Sequence, residues 1–414
     1  MQKHILIVSY VFPPYPGIGG RRWAKFSKYL SKKGYSVHVV CSLNPFSKKQ
    51  SLYYDDVKQK GIVIHSLSSN YPNILLRTPI YFIEKIKYHF FEKMLKLFFK
   101  GSPYDRAIFW EKNMLSKCRK IIEELNINTV IATGAPFRVN YFSIKLKKYF
   151  PNIKLINDLR DPWTWGHGYG MNNLSEKNSR YEWDMETKVI NASDIITVPI
   201  ESMVNHLKKK FPDHANKIIN LPHSFDEDEV CKRSYSGERK KKLLLYGTLY
   251  DGLENEFEAV SLALKKEGYT LSIISYSDKY QSVFAKNGTL NKQVFYNEEL
   301  MPKELFQKFN EYDYILLLHN RNIKDHIATK FYEIVYSGIP VIYIGADGKA
   351  AEFIKQNNVG AHILPEKISS DLPETLLQHI IPSYKLDFNI EDFSFSRQTD
   401  FLIQLIENKN QNLL

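Results

Sequence analysis

The chain has 414 residues, of which 43% are apolar and 25% charged, a composition that excludes a disordered or fibrous protein. Its formal net charge of +12 suits anionic partners such as nucleotide phosphates, nucleic acid or an acidic membrane face, but equally suits lysines spread over solvated surfaces. We find no apolar run of about 18 residues that would predict a membrane-spanning helix. Cys41, Cys118 and Cys231 are too few and too far apart for a disulfide framework or a zinc site. With no signal-like segment at the start, we expect a cytoplasmic location and more than one domain.

The first half of the chain alternates between strand-like and helix-like segments. Residues 5–8 form a buried apolar run, a loop rich in proline and glycine follows, and residues 22–31 are amphipathic. This order predicts a βαβ unit and therefore a parallel sheet. Further short apolar runs are assigned to the same sheet: residues 37–40, 62–65, 130–132, 155–157 and 195–198.

The pattern restarts after a polar segment, residues 226–242, which we predict to be a linker. It separates an N-terminal domain, residues 1–225, from a C-terminal domain, residues 243–390, and we expect residues 391–414 to form a helix that packs back on the first domain. The second domain has strand-like runs at residues 243–246, 271–274, 294–296, 314–318 and 341–344. The predicted fold class is α/β, with two doubly wound Rossmann-like domains facing a central cleft. Ligands of such sheets bind outside the carboxyl ends of the strands, so the loops there are the candidate sites.

The loop after the first strand, PPYPGIGGRRW, combines glycines with two arginines. Gly19 and Gly20 would let the backbone approach a sugar diphosphate, and a helix starting at Arg21 and Arg22 would turn its positive end toward that ligand. The loop is not the dinucleotide fingerprint G-x-G-x-x-G. The alternative is a turn that merely needs a positive φ angle.

A second polar cluster, INDLRDPWTWG, follows the strand at residues 155–157. Asp161 could orient or deprotonate an acceptor hydroxyl, while Arg160, Trp163 and Trp165 would line a carbohydrate site. The alternative is that Arg160 and Asp158 form a structural ion pair and that the tryptophans belong to the core.

The segment KDHIATKFYEIVYSGIPVI follows the strand at residues 314–318 and is the most informative one. A helix should start near Ala328 and Thr329, with Asp325 in the loop before it and Glu333 about one turn inside. The free amides of such a helix start bind phosphate, and Lys330 would add a positive charge. Glu333 could accept both hydroxyls of a ribose, and Asp325 could hold the sugar. The alternative is an amphipathic helix with a solvated Glu and Lys.

These segments together resemble the GT-B glycosyltransferases of family 4, in the branch that builds bacterial surface polysaccharides such as O-antigen or capsule. The resemblance rests on PPYPGIGGRRWAKFSKYLSKKGYSVHVV, TGAPFRVN, DLRDPW and TKFYEIVYSGIPVI. The family's Glu-x7-Glu pair matches Asp325 and Glu333, with aspartate in place of the first glutamate. The family's Gly-Leu amides on the β-phosphate match Ala328 and Thr329. The diphosphate cation could be Arg21, Arg22 or Lys330.

The resemblance implies a retaining sugar transfer without a metal or other cofactor, from a UDP- or GDP-sugar donor to a glycan or lipid-linked glycan acceptor. The acceptor would bind the N-terminal domain and the donor the C-terminal domain. Further predicted donor contacts end strands of the second domain: Gly247, Thr248, Ser275, Tyr296 and His319. The acidic triplet at residues 226–228 superficially matches a metal-binding Asp-x-Asp motif, but its place in the linker indicates solvated charge.

Residues 80–100, IYFIEKIKYHFFEKMLKLFFK, predict an amphipathic helix that is both basic and aromatic. Such a helix suits the surface of an anionic membrane, which would give the protein a peripheral membrane contact near a lipid-linked acceptor. The alternative is a helix packed on its own domain with an ordinary lysine face.

Two other functions fit parts of this pattern. A nucleotide-sugar epimerase would use the same fold without an acceptor. A non-catalytic, basic nucleic-acid-binding protein would explain the charge, but the sequence supplies no recognition motif, so we predict no nucleic-acid partner.

Overall fold

A computed structural model describes residues 3–46, 50–166, 171–233, 238–319, 329–378 and 384–407. The chain forms two compact units. The first consists of Met1–Pro222 and Thr399–Leu414, and the second of His223–Gln398. The division lies a few residues from the predicted boundaries, and the residues predicted as a linker belong to the second unit.

The first unit is built on a parallel sheet of seven strands. In chain order the strands are β1 (Lys3–Ser9), β2 (Tyr35–Ser42), β3 (Ile62–Leu67), β4 (Thr129–Gly134), β5 (Lys154–Leu159), β6 (Ile195–Val198) and β7 (Ile218–Asn220). Across the sheet their order is β3-β2-β1-β4-β5-β6-β7. The chain therefore reverses its direction of travel between β1 and β4, and such a switch point is where ligands bind in doubly wound sheets.

Helices connect most of these strands, as the sequence pattern predicts for parallel neighbours. They are α1 (Arg21–Lys32), α2 (Phe82–Phe98), α3 (Glu111–Leu125), α4 (Arg138–Ser143), α5 (Leu146–Tyr149), α6 (Glu176–Ala192) and α7 (Glu201–Lys210). The strands β1 and β2 are buried along most of their length, and Leu6 and Val8 pack with Met114 and Cys118 of α3. A central strand covered in this way needs a continuous apolar run, which is why residues 5–8 were recognisable.

The second unit contains a parallel sheet of six strands. These are β8 (Lys242–Tyr246), β9 (Thr270–Ile274), β10 (Val294–Asn297), β11 (Tyr314–Leu318), β12 (Val341–Ile344) and β13 (Gly360–Ile363), in the order β10-β9-β8-β11-β12-β13. Its switch point lies between β8 and β11. The helices are α8 (Glu254–Glu267), α9 (Gln281–Lys286), α10 (Pro302–Gln307), α11 (Thr329–Ser337), α12 (Lys349–Asn357), α13 (Ile368–Gln378) and α14 (Phe395–Glu407).

The predicted α/β class with two Rossmann-like sheets is confirmed, and two strands were missed. Strand β7 has only three residues, and β13 has four and begins with a glycine. Neither is long enough to show an apolar period. Both lie at a sheet edge, where pairing with a single neighbour suffices to hold them.

The reading of residues 226–228 as solvated charge was wrong for Asp226. This side chain is fully buried, and its Oδ1 atom accepts a hydrogen bond from the Asp228 amide at 3.1 Å. The Asp226 carbonyl also accepts from the amides of Glu229 and Val230. Asp226 therefore shapes a turn that brings Val230 into the apolar core of the second unit.

The last turns of α14 belong to the first unit. Lys154 Nζ donates to the carbonyl oxygens of Leu405 and Ile406, at 3.1 and 2.6 Å, which satisfies acceptors that a helix end leaves open. The Tyr35 hydroxyl donates to Glu407 at 2.6 Å. None of the described helices has the length and apolarity needed to cross a bilayer.

Candidate functional site

The switch point of the second sheet gathers several predicted donor contacts. Strand β8 ends at Tyr246, and Gly247 and Thr248 follow it directly; β11, beside β8, ends at Leu318 and is followed by His319. Helix α11 begins at Thr329 and sends Lys330 back to this edge. Because the carboxyl ends of β8 and β11 and the start of α11 meet here, this is the candidate donor site.

Lys330 is held in place by the end of β8. Its Nζ atom donates to the Tyr246 carbonyl oxygen and lies 4.7 Å from the centre of the Tyr246 ring. Burial lowers the pKa of Lys330 to about 8, and the Glu333 carboxylate opposes that shift. The lysine can therefore change charge near neutral pH, depending on whether an anion is bound beside it.

Gly247 has no side chain, and the end of the Lys330 side chain occupies the space beside it. Its φ angle is +88°, and a Cβ atom built there would lie 2.7 Å from Lys330 Nζ. Its amide donates to the Ile274 carbonyl at 2.9 Å, which ties the end of β8 to the end of β9. The positive φ angle favours glycine here, and a Cβ atom would also displace the end of the Lys330 side chain.

Glu333 lies one turn inside α11 and is buried. The Tyr246 hydroxyl donates to its Oε2 atom at 3.3 Å. Tyr246 thus contacts Lys330 through its carbonyl and Glu333 through its hydroxyl, and it links the two charged groups of α11 to the strand end.

His319 is buried between two aromatic rings at the end of β11. The ring centres of Tyr250 and Tyr343 lie 6.0 and 5.3 Å from that of His319, both edge-on. A cavity of about 40 Å³ is lined by Thr248, Tyr250, His319 and Lys330 among others. It has room for a few water molecules and no more.

Sequence reasoning missed a cation beside the loop after β8. Lys279, from the loop after β9, reaches across and donates to the Leu249 carbonyl at 3.2 Å and to Asp251 at 2.8 Å. The loop itself, YGTLYDG, contains no arginine or lysine, so no local signal pointed to it. Only the pairing of β8 with β9 brings Lys279 there.

The remaining predicted donor contacts lie further from the switch point or outside the described residues. Ser275 directly follows β9, one strand away, and Tyr296 lies in the edge strand β10, where its hydroxyl donates to the Lys279 carbonyl. Asp325 and Ala328 fall outside the described residues, and of Thr329 only the backbone is described.

In the first unit, Arg160 holds together the loops at the switch point. Its Nε atom donates to the Gly134 carbonyl at 3.1 Å, and its other nitrogens donate to the carbonyls of Gly19 and Ala135. Gly19 lies in the loop after β1, Gly134 ends β4 and Ala135 follows it. Arg160, predicted to contact an acceptor, therefore organises this edge of the sheet, and the half-buried Asp161 follows it directly.

Arg22 was predicted to hold the donor diphosphate, and its contacts contradict that role. It is buried, and it forms an ion pair with Asp158 through Nε at 3.2 Å and Nη2 at 3.1 Å. Its remaining bonds go to the carbonyls of Leu221 and Pro222. Because all three guanidinium nitrogens donate within the unit, Arg22 has a structural role.

Asp158 is the centre of this network. Besides Arg22, its carboxylate accepts from the Trp23 indole, the Thr133 hydroxyl and the Thr197 hydroxyl, at 2.8 to 3.0 Å. The proposed alternative of an Asp158–Arg160 ion pair was therefore wrong in its partner, which is Arg22. The network joins α1 to β4, β5 and β6.

The neighbouring glycines and arginine are packed into the unit as well. Gly20 is buried, and a Cβ atom on it would lie 3.2 Å from the Pro13 ring. Its small size serves chain packing. Gly19 is half-buried against Arg160, and Arg21 is buried at the start of α1.

The two tryptophans predicted to stack on sugar differ in their surroundings. Trp163 is fully buried, stacks on Phe137 at 4.8 Å and donates to Glu182 at 2.8 Å, so it belongs to the core. Trp165 is half-buried and stacks on His206 at 4.1 Å. The alternative of core tryptophans holds for Trp163.

Solved structures match this chain over nearly its whole length, although no family model and no curated protein matches its sequence. A glycosyltransferase from Rickettsia africae superposes with a TM-score of 0.58 at 12% identity, covering 99% of both chains. Anabaena HepE, in complex with UDP and glucose, has a TM-score of 0.60 at 11% identity, covering 97% of this chain and 99% of its own. The chain has the GT-B fold.

The solved structures that match this chain also include a second class of enzyme. A Listeria monocytogenes protein provisionally assigned as a UDP-N-acetylglucosamine 2-epimerase has a TM-score of 0.55 at 10% identity, covering 99% of this chain and 97% of its own. At sequence identities this low, the superpositions establish only the shared fold. The reaction has to be argued from the residues of the site.

Proposed function

We propose that this protein is a retaining glycosyltransferase. It moves a sugar from a UDP- or GDP-sugar to a hydroxyl of a surface glycan, and that acceptor is carried on a lipid. The donor binds the second unit, and the acceptor binds the first. The observation that supports this proposal best is the cluster of Lys330, Glu333 and Tyr246 at the switch point of the second sheet.

Lys330 and Glu333 of that cluster each contact one part of the donor. The amides at the start of α11 and the Lys330 ammonium neutralise the diphosphate, whose negative charge grows as the sugar leaves. The Glu333 carboxylate accepts hydrogen bonds from the ribose hydroxyls. Lys279 supplies a second positive charge over the loop after β8. Asp325 is proposed to hold the sugar.

On the acceptor side, we propose that Asp161 orients the attacking hydroxyl and that Trp165 contributes an apolar face. Arg160 positions both by fixing the loops after β1 and β4. In this proposal the second unit recognises the charged diphosphate of the donor, and the first unit recognises the hydroxyl of the acceptor.

The decisive experiment compares two buried carboxylates of the second unit. Glu333→Gln should abolish the rise in melting temperature that UDP- or GDP-sugars produce, together with sugar transfer, because the ribose contact is lost. Asp313→Asn is the matched control, since Asp313 is buried and, among the described residues, accepts hydrogen bonds only from the Lys240 and Lys242 amides. It should lower the melting temperature and keep the ligand-induced rise. Normal donor binding by Glu333→Gln would refute the assignment.

The epimerase neighbour makes nucleotide-sugar epimerisation the second candidate. Incubation with donor alone separates the two reactions. A glycosyltransferase releases nucleoside diphosphate slowly and leaves the sugar's configuration unchanged, whereas an epimerase inverts one stereocentre, which NMR detects.

A further inference from the structure

Helix α2 turns its apolar side away from the protein. The exposed fractions of Phe82, Ile86, Phe90 and Leu97 are 77%, 54%, 63% and 74%. A surface helix of a globular unit normally buries its apolar stripe and exposes its polar one. The reversed arrangement leaves a contiguous apolar surface without a partner in the described residues, and such surfaces mark interaction sites.

The opposite side of α2 anchors the helix firmly. Leu95 is fully buried in a small apolar cluster with Tyr71 and Ile108. Glu84 forms a capping box with Tyr81 at the start of the helix. The exposed stripe is therefore presented by a fixed helix.

The stripe is narrow and bordered by lysines. At 100° per residue, Phe82, Ile83, Ile86, Phe90 and Leu97 fall within roughly one third of the helix circumference. Lys85 and Lys96 border it on one side and Lys87 on the other, while Lys93 falls within the stripe, between Phe82 and Ile86. Lysine stems of this length can lie along an apolar surface while the ammonium groups reach outward.

The charge of the segment is strongly positive. Residues 77–100 contain six basic and two acidic residues. Both acidic side chains are already engaged, Glu84 with Arg77 and Glu92 with Lys96. Within the part of the chain that the structure describes, Lys85, Lys87, Lys93 and Lys100 form no ion pair, so their charges are available to a partner.

We propose that α2 docks this protein on an anionic lipid surface, lying in the plane of the interface with its apolar stripe among the acyl chains. Lipid headgroups match the lysines at the border of the stripe, and the hydrocarbon matches its centre. A second copy of the chain would match the apolar residues but bring the same positive charges together, so charge complementarity favours lipid. The inference does not depend on sugar transfer, because it concerns a surface and not the donor site.

The test is sedimentation of the full chain with vesicles of phosphatidylcholine alone or mixed with phosphatidylglycerol. We expect binding to the mixed vesicles that weakens as salt is raised, and little binding to the neutral ones. Ile86→Ser/Phe90→Ser should lower the partition coefficient about tenfold or more. Lys85→Gln/Lys93→Gln should lower it about fivefold per lysine at low salt.

Matched controls come from the second unit. Leu262→Ser/Leu377→Ser removes two leucines that are 53% and 60% exposed, close to the values of Ile86 and Phe90, and Lys265→Gln/Lys286→Gln removes two exposed lysines. Both should leave binding unchanged. Failure to bind mixed vesicles, or equal losses in test and control variants, would overturn the proposal. So would a dimer, seen by sedimentation velocity, that Ile86→Ser/Phe90→Ser dissociates while vesicle binding is absent.

Discussion

Arg22 in the first unit and Lys330 in the second begin from similar positions and end in different roles. Each lies near the start of a helix, at the carboxyl edge of a parallel sheet, and each was predicted to hold the donor diphosphate. Arg22 donates to both oxygens of Asp158 and to two backbone carbonyls. Lys330 donates, among the described residues, to the Tyr246 carbonyl.

Residue type and position along the chain therefore do not distinguish a cation with a structural role from one that can bind a ligand. The planar guanidinium of Arg22 matches a carboxylate and neighbouring carbonyls, and each of its nitrogens donates to one of them. The ammonium of Lys330 is a point charge with three donors, so it can bind its own strand and a phosphate together. Substitutions at these two sites should therefore differ in their effects on stability and on donor binding.

Asp158→Ala should lower the free energy of unfolding of the first unit by about 3–5 kcal/mol, because it leaves the buried Arg22 without its counter-charge. Urea denaturation followed by tryptophan fluorescence measures this unit specifically, since all five tryptophans lie in it. If Asp158→Ala does not fold, Asp158→Asn should still show a clear loss. The control is Asp184→Ala, which breaks an exposed pair with Lys188 and should cost less than about 1 kcal/mol. Equal effects would contradict the structural role of Arg22.

Low pH should reduce the free energy of unfolding of the first unit, because His38 is buried there. Within the described part of the chain, the charged groups that act on His38 are two other histidines, and no carboxylate is among them. Burial, followed by His65 and His4, lowers the pKa of His38 to about 4 from its usual 6.5. The unfolded chain therefore binds the extra proton first, and stability falls as the pH drops from about 6.5 to 4. The loss should reach about 3 kcal/mol.

Tryptophan-detected urea midpoints across this pH range provide the measurement. His38→Asn should flatten the pH dependence, and a substitution of the half-exposed His214, which contacts Asn191, should not. A profile that stays as steep in His38→Asn would assign the acid sensitivity to another group.

Lys330→Met should weaken donor binding about tenfold or more, because one charge-assisted contact with the diphosphate is lost, while the free energy of unfolding changes little. In the unmodified protein, donor affinity measured by calorimetry should fall as the pH rises through about 8, where Lys330 loses its proton. Lys349→Met alters an exposed lysine that pairs with Glu352 and should do neither. Unchanged affinity in Lys330→Met would give Lys330 the same structural status as Arg22.

Gly247→Ala should cost about 1 kcal/mol of stability because of the positive φ angle, and it should also weaken donor binding by displacing Lys330. Gly288→Ala has a similar φ of +66° with open space around its Cβ position. It should show the same thermal destabilisation with normal donor affinity. If both variants bind donor equally well, the contact between Gly247 and Lys330 has no part in binding.

Much of the fold followed from local patterns. Strands and helices of sufficient length show their hydrophobic period in residues that are close together in the sequence. This made it possible to recognise the apolar runs at residues 5–8 and 314–318 and the amphipathic segments of α1, α2 and α14. The short strands β7 and β13 were not, because three or four residues carry no period. The segment that leads into α11 indicated a helix start near Thr329 with Lys330 and Glu333 inside it, and the structure has that helix.

Local sequence patterns therefore predicted the α/β class, the positions of most elements and the presence of Lys330 and Glu333 on one helix. Tertiary packing was needed to show that Arg22 pairs with Asp158, 136 residues away, and that Trp163 belongs to the core. It was also needed to show that Lys279 reaches the loop after β8 and that α2 exposes its apolar side. The physical reason is that hydrogen bonds and burial are settled by partners distant in the chain. The pattern of apolar and polar residues shows which face of a helix or strand is apolar. Only the packing of the folded chain shows which neighbour, if any, covers that face.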